Sequence, residues 1–189
     1  MSGSVRGNKP GFTLIELIIV LAIIGILATI VVPNFRGRSP ERRRKEFISR
    51  INALVQVAWQ DAVATRKLHR VVFDLKKNNM SLETQTNKKA ATGDPVFESM
   101  RTRYLNTVYE WPADTFEFKN FYIGKRDEIQ LTLKETGKGK IWFFITPEGL
   151  AQDVIMNIVD TKEQKLIEFS LVLNPFSAQF KEYDTFQKP

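Results

Sequence analysis

The sequence predicts an α+β protein: a long N-terminal helix, apolar in its first half and amphipathic in its second, packed on a mainly antiparallel β-sheet. Three observations predict it. Residues 12–32 read FTLIELIIVLAIIGILATIVV, an apolar run broken by one acid. Phe47, Ile51, Leu54, Val55, Ala58 and Ala62 then recur at helical spacing. Beyond His69 the chain turns into short runs of β-branched and aromatic residues separated by turn residues.

The first stretch, 1–11, carries Arg6 and Lys9 and no acid. Residues 12–35 follow, charged only at Glu16, and about 20 mostly apolar residues suffice to cross a hydrocarbon core. Aliphatic side chains lie all round this helix, as in a span rather than a surface helix. Pro33-Asn34 is expected to bend or end it. A carboxylate in such a helix either stays hydrated near the interface or has a function there. A secretory signal peptide fits poorly, because its small-residue cleavage site should follow the apolar region, whereas Gly11 precedes it.

Lys9-Pro10-Gly11-Phe12-Thr13-Leu14-Ile15-Glu16-Leu17 resembles the prepilin signal of type IV pilins and type II secretion pseudopilins. The likeness combines a basic leader, Gly before Phe, a lone Glu and an unbroken apolar helix. It implies a pilin-like fold and a leader, 1–11, cut between Gly11 and Phe12 by a prepilin peptidase. It also implies N-methylation of Phe12 and a transmembrane and assembly helix over 12–35. A buried carboxylate needs a partner. The α-amino group freed at Phe12 is mostly cationic near neutrality, with an ordinary pKa of about 7.7–8. Glu16 of one subunit is therefore expected to pair with Phe12 of its neighbour and set the axial register.

Residues 36–68 are expected to form the amphipathic helix, with Ser39 as cap, Pro40 in the first turn and Glu41 near the positive end. Net charge is +7, and seven basic residues, Arg36, Arg38, Arg42, Arg43, Arg44, Lys45 and Arg50, fall just past the apolar run. They either meet anionic headgroups or form a solvated helix face. Lys and Arg normally collect on the cytoplasmic side, so this cluster opposes the topology the resemblance implies, leader inside and head in the periplasm.

The β-rich head is expected over 69–189. Arg70–Leu75 and Met80–Thr84 flank Lys76-Lys77-Asn78-Asn79 as a hairpin, and 85–95 reads as an exposed loop. Val96–Glu110 is open between strand and helix. Strands are expected over Thr115–Ile123, Glu128–Lys134, Ile141–Thr146, Val154–Val159, Leu166–Asn174 and Gln179–Tyr183, with Ile129, Leu131 and Leu133 alternating against Gln130, Thr132 and Lys134. Ala58-Trp59-Gln60-Asp61-Ala62 before Val71-Val72-Phe73-Asp74-Leu75 resembles the helix-to-strand passage of the H-type minor pseudopilins. Ile145-Thr146-Pro147-Glu148-Gly149 resembles their F-x-P-x-G turn.

Catalytic and ligand chemistry is thinly represented. With no cysteine there is no disulfide and no thiolate metal site, and His69 has no second histidine. Gly137-Lys138-Gly139-Lys140 lacks the frame of a phosphate loop and reads as a hairpin turn. Asp127, Glu128, Asp153 and Asp160 do not fall at cation-ligand spacing. Trp111, Trp142, Phe143 and Phe144 read as core or subunit interface rather than a base-stacking platform. No catalytic residue, metal or cofactor is expected, and nucleic acid is not an expected partner. The function expected is that of a minor pseudopilin, a structural subunit of the type II secretion pseudopilus. Its expected partners are other pilin-like subunits, the prepilin peptidase, the inner-membrane assembly platform and membrane lipid. The alternative is a minor type IV pilin of a pilus or DNA-uptake machine. A membrane-tethered enzyme is the least consistent with these residues.

Overall fold

The computed structural model describes residues 13–35, 39–102, 106–135, 139–162 and 166–189, with side chains left undescribed at 27–35 and 133–135. It falls into two units, one ending at Ser39 and one running from Pro40 to Pro189. In the first, α1 spans Leu14–Phe35. It continues through Pro33 to Phe35, so the helix does not end at the proline itself: a proline deletes one main-chain bond but needs no helix end in the last turn. Arg36, Gly37 and Arg38 lie outside the described residues.

The second unit opens with α2, Pro40–Thr65. Ser39 is not helical and Pro40 takes the first helical position, where its missing N–H costs nothing. One face of α2 is buried: Phe47, Ile48, Ile51, Leu54, Val55, Ala58 and Ala62. This is the stripe read from sequence with Ile48 added.

Among the described residues ten strands follow: β1 His69–Asp74, β2 Asn79–Lys89, β3 Pro95–Ser99, β4 Val108–Glu110, β5 Phe116–Ile123, β6 Arg126–Asp127, β7 Lys140–Ile145, β8 Val154–Asp160, β9 Ile167–Asn174 and β10 Gln179–Tyr183. They make two antiparallel sheets rather than one. Sheet 1 has the order β3-β2-β1-β7 with β4 also on β2, and sheet 2 the order β10-β9-β8-β5-β6. Inward residues alternate along four strands, Val71 and Phe73 on β1, Met80 and Leu82 on β2, Phe143 and Ile145 on β7, and Phe169, Leu171 and Leu173 on β9, whereas β8 is buried throughout. Phe47 of α2 sits at the centre, 4.2 Å from the Phe116 ring and 5.6 Å, edge-on, from Trp111. Burying each such ring contributes about 1.5–3 kcal/mol. Phe73 and Phe121, 5.3 Å apart, join the two sheets across the same core.

Three expectations are corrected. Residues 85–89 are not loop: β2 continues to Lys89, held by its ladder with β3, where Gln85 faces Phe97 and Lys89 faces Pro95. The open segment 96–110 yields β3 and β4. Glu128–Lys134 is not a strand but lies in helix α3, Glu128–Glu135. Asp127 caps it, accepting the Ile129 N–H at 3.2 Å, and the same Oδ1 accepts Phe121 N–H from β5. Gly139 therefore lies in an α3–β7 connection rather than a β-hairpin, and Lys140 opens β7; Gly137 and Lys138 lie outside the described residues. The β1–β2 hairpin forms as expected. Asp74 Oδ1 accepts the N–H groups of Lys76 and Lys77, and Asn78 takes the left-handed φ of 52° that the turn requires.

Candidate functional site

The predicted processing site, Gly11 and Phe12, and the leader residues Arg6 and Lys9 lie outside the described residues. The site resumes at Thr13, which sequence reasoning passed over. Thr13 precedes α1 and receives the Glu16 N–H on both its carbonyl, at 3.1 Å, and its Oγ1, at 3.3 Å. Thr13-Leu14-Ile15-Glu16 is thus an N-terminal capping sequence of the form T-x-x-E, with the acid in the first turn where the helix dipole favours it. That signal was readable from the spacing. From Leu14 to Ile26 every described side chain is exposed, and Glu16 is the one charge among them. Among the described residues no helix is long and apolar enough to cross a membrane; the described side chains of α1 stop at Ile26.

In the second unit the two stretches that resemble H-type sequences meet each other. Trp59 of α2 donates its indole N–H to Gly149 O in the β7–β8 turn at 2.7 Å. The turn is closed by Gly149 N–H to Thr146 O at 3.0 Å and Thr146 N–H to Leu150 O at 2.8 Å. Two residues on from Trp59, Asp61 Oδ2 lies 2.7 Å from Nε2 of His69, whose Nδ1 lies 3.0 Å from Lys67 O. His69 is fully buried and locks the end of α2 to the start of β1. It stands alone as a histidine, and among the described residues no cluster of three metal-ligating side chains occurs.

The basic cluster at the start of α2 is partly spent inside this unit. Arg43 donates to both oxygens of Asp160, at 3.1 and 3.0 Å, with 13% of the arginine side chain exposed and 2% of the aspartate's. Arg44 pairs with Glu182 at 2.7 Å and lies 5.6 Å from the Phe169 ring centroid. These two arginines are thus neither a lipid surface nor a solvated face, and the positive charge left open on that turn is smaller than the count implies. Of the aromatics singled out from sequence, Trp111 and Phe143 are core, Phe144 is half-buried and Trp142 is 41% exposed. Tyr109, beside α2, has its phenol pKa raised, first by burial and then by the Glu46 carboxylate, with Arg50 opposing.

A capped, apolar N-terminal helix with one acid, followed in the chain by a unit in which a helix packs on antiparallel sheets, is similar to the plan of the pilin class. Residues 6–32 match the family described as the prokaryotic N-terminal methylation motif. Type II secretion system core protein G of Klebsiella michiganensis is 45% identical over 49 residues, covering 26% of this chain and 34% of that protein. The Aeromonas hydrophila core protein G is 33% identical over 90 residues, covering 48% and 58%. A fimbrial protein of Pseudomonas aeruginosa is 46% identical over 50 residues, covering 26% and 32%. The chain therefore spans between about a third and three-fifths of the length of these relatives. In fold it is similar to the minor pseudopilin EpsH from the type 2 secretion system of Vibrio cholerae, with a TM-score of 0.52 and 10% identity, over 74% of this chain and 94% of that one. The motif, these relatives and this fold together support a type IV pilin and pseudopilin family for the chain.

Proposed function

We propose that this chain is a minor pseudopilin, a structural subunit of a type II secretion pseudopilus that catalyses no reaction. The observation that carries this is the methylation motif on residues 6–32 joined to a head with the fold of a minor pseudopilin. The leader, 1–11, is removed between Gly11 and Phe12 by a prepilin peptidase, and Phe12 is N-methylated. Residues 12–35 anchor the chain once in the inner membrane with the head in the periplasm, and 36–68 with 69–189 make that head. The Arg43–Asp160 and Arg44–Glu182 pairs favour this orientation, because they offset part of the cluster that argues against it. Glu16 pairs with the Phe12 ammonium of the next subunit during assembly. The other pseudopilins and the inner-membrane platform are the partners.

Processing and topology are tested together. N-terminal sequencing and intact mass of the mature chain should give a methylated residue 12 at the start, and protease added outside the inner membrane should reach the head. A chain that keeps its leader, or a head protected until the membrane is opened, refutes the proposal.

A further inference from the structure

Among the described strands β7 pairs only with β1; Ile145 at its end bridges Ala151, and the other edge is open where it carries an exposed tryptophan. In an antiparallel strand the two main-chain groups of one residue point the same way, and the direction alternates along the chain. Phe144 O accepts the Gln152 N–H at 3.1 Å, and Phe144 N–H is donated to Oε1 of Gln152 at 2.8 Å. Phe144 therefore points away from β1, and so do Trp142 and Lys140. Gln152 caps the edge at Phe144 as a pairing residue would. At Trp142, among the described residues, neither the N–H nor the carbonyl has a partner on that side.

The open edge borders a hollow of about 340 Å³ between β7 and the β6–α3 corner. Ile123, Ile141 and Trp142 give it an apolar lining, and Arg126, Glu128 and Lys140 its charges. Trp142 is held in place: the Arg70 guanidinium lies 5.3 Å from its ring centroid and 4.4 Å from that of Phe97, with Glu83 pairing the same arginine. A ring already fixed loses little rotamer freedom on docking. Arg126 pairs with Glu128 at 3.7 Å and Lys140 with Asp74 at 4.0 Å, and in each pair the cation is the more exposed member, 73% and 52% against 24% and 8%.

We propose that this edge is a strand-addition site, at which an extended segment of a neighbouring pilin-class subunit pairs with Lys140–Trp142 of β7. Unpaired main-chain donors and acceptors are matched by an extended backbone, the apolar lining by one apolar side chain of that segment, and the exposed cation ends of the two ion pairs by an acidic side chain next to it. The hollow is at the small end of binding-site volumes, so the added strand is short. The inference rests on the subunit reading above, since its occupant is another member of the same assembly.

The test uses the full chain in its own membrane with photoreactive benzoylphenylalanine in place of Phe144, an aromatic residue that lines the hollow. The expected crosslink maps to an extended segment of another pilin-class subunit. Trp142→Pro in that background removes the open N–H without touching a bond to β1, and should lower the yield about fivefold or more, the worth of one or more main-chain bonds. Lys140→Gln, which removes the exposed cation without setting a second carboxylate against Asp74, should weaken the crosslink while the urea unfolding midpoint stays that of the unaltered chain. Co-fractionation with the other pilin-class subunits is read in parallel. A chain that co-fractionates but gives no crosslink, or one to lipid, nucleic acid or a helical segment, overturns the docking site alone, as does a yield that neither substitution lowers. A chain that fails to co-fractionate overturns the subunit reading and this inference with it.

Discussion

Trp59 on α2 and Gly149 in the β7–β8 turn, 90 positions apart, are joined by one indole N–H to carbonyl bond of 2.7 Å. Gly149 is there for two reasons. Its φ of +80° is one that L side chains rarely adopt, and a Cβ on it would stand 3.1 Å from Cγ2 of Val63 and 3.3 Å from Nε1 of Trp59. Gly149→Ala should therefore cost about 1–3 kcal/mol through strain and overpacking together. Trp59→Phe, which keeps an aromatic ring and loses the bond, should cost about 1 kcal/mol. Denaturant unfolding of the two variants checks the order. Equal losses would mean that the bond, not the backbone conformation, holds the turn.

The Arg43–Asp160 pair gives a second test. Asp160 is 1% exposed, and beyond Arg43 its Oδ1 accepts only the Lys162 N–H, at 3.1 Å, among the described bonds. Arg43→Ala leaves that carboxylate buried and should destabilise the head by about 3 kcal/mol or more. Lys45→Ala, two positions on and exposed, should stay within about 0.5 kcal/mol. Urea midpoints of the two proteins should separate accordingly; coincident midpoints would show that Arg43 contributes no more than a surface charge.

Tyr109 sets a pH limit. Its phenol pKa is raised by burial and by Glu46, so between the ordinary value near 10 and the raised one the unfolded chain ionises while the folded chain does not. This contribution to stability is complete below pH of about 10 and is lost as pH rises through the folded value. Ultraviolet titration of the phenolates should show one late component that disappears in Tyr109→Phe, and that variant should lose less stability on going from pH 9 to pH 11. Superimposable titrations of the two proteins would contradict the burial argument.

What could be read in the residues beforehand was local. The buried face of α2 was legible because its apolar positions repeat with the helical period, and the methylation motif on residues 6–32 because it is short and contiguous. α3 was misread because Ile129, Leu131 and Leu133 satisfy alternation while Ile129 and Leu133 also satisfy one helical turn. The residue that decides between them, Asp127, lies outside the run and acts through its cap. The polar end of β2 is a strand only because β3 pairs with it. Arg43 and Asp160 stand 117 positions apart, so no spacing rule could show that part of the basic cluster is neutralised within the head.

The structure also makes the proposed role of Glu16 separable from its visible one. Its N–H bonds Thr13, and a side chain at this position of a capping sequence serves the helix equally as Glu or Gln. Its charge at the positive end of the helix contributes about 0.3–1 kcal/mol. A carboxylate paired with an ammonium between packed helices is a larger matter, since removing one partner from a buried pair costs about 3–5 kcal/mol. Glu16→Gln keeps the capping chemistry and removes the charge, whereas Glu16→Ala removes both. If pairing with Phe12 is the function, the two variants should fail alike, with co-fractionation of the mature chain with other pilin-class subunits falling by at least about a hundredfold, the equivalent of some 3 kcal/mol. Processing to Phe12 should continue in both, because the cleavage sequence is intact. If capping is the whole role, Glu16→Gln should assemble like the unaltered chain and only Glu16→Ala should weaken, by no more than about fivefold. Only the first outcome is compatible with Glu16 setting the register through its charge.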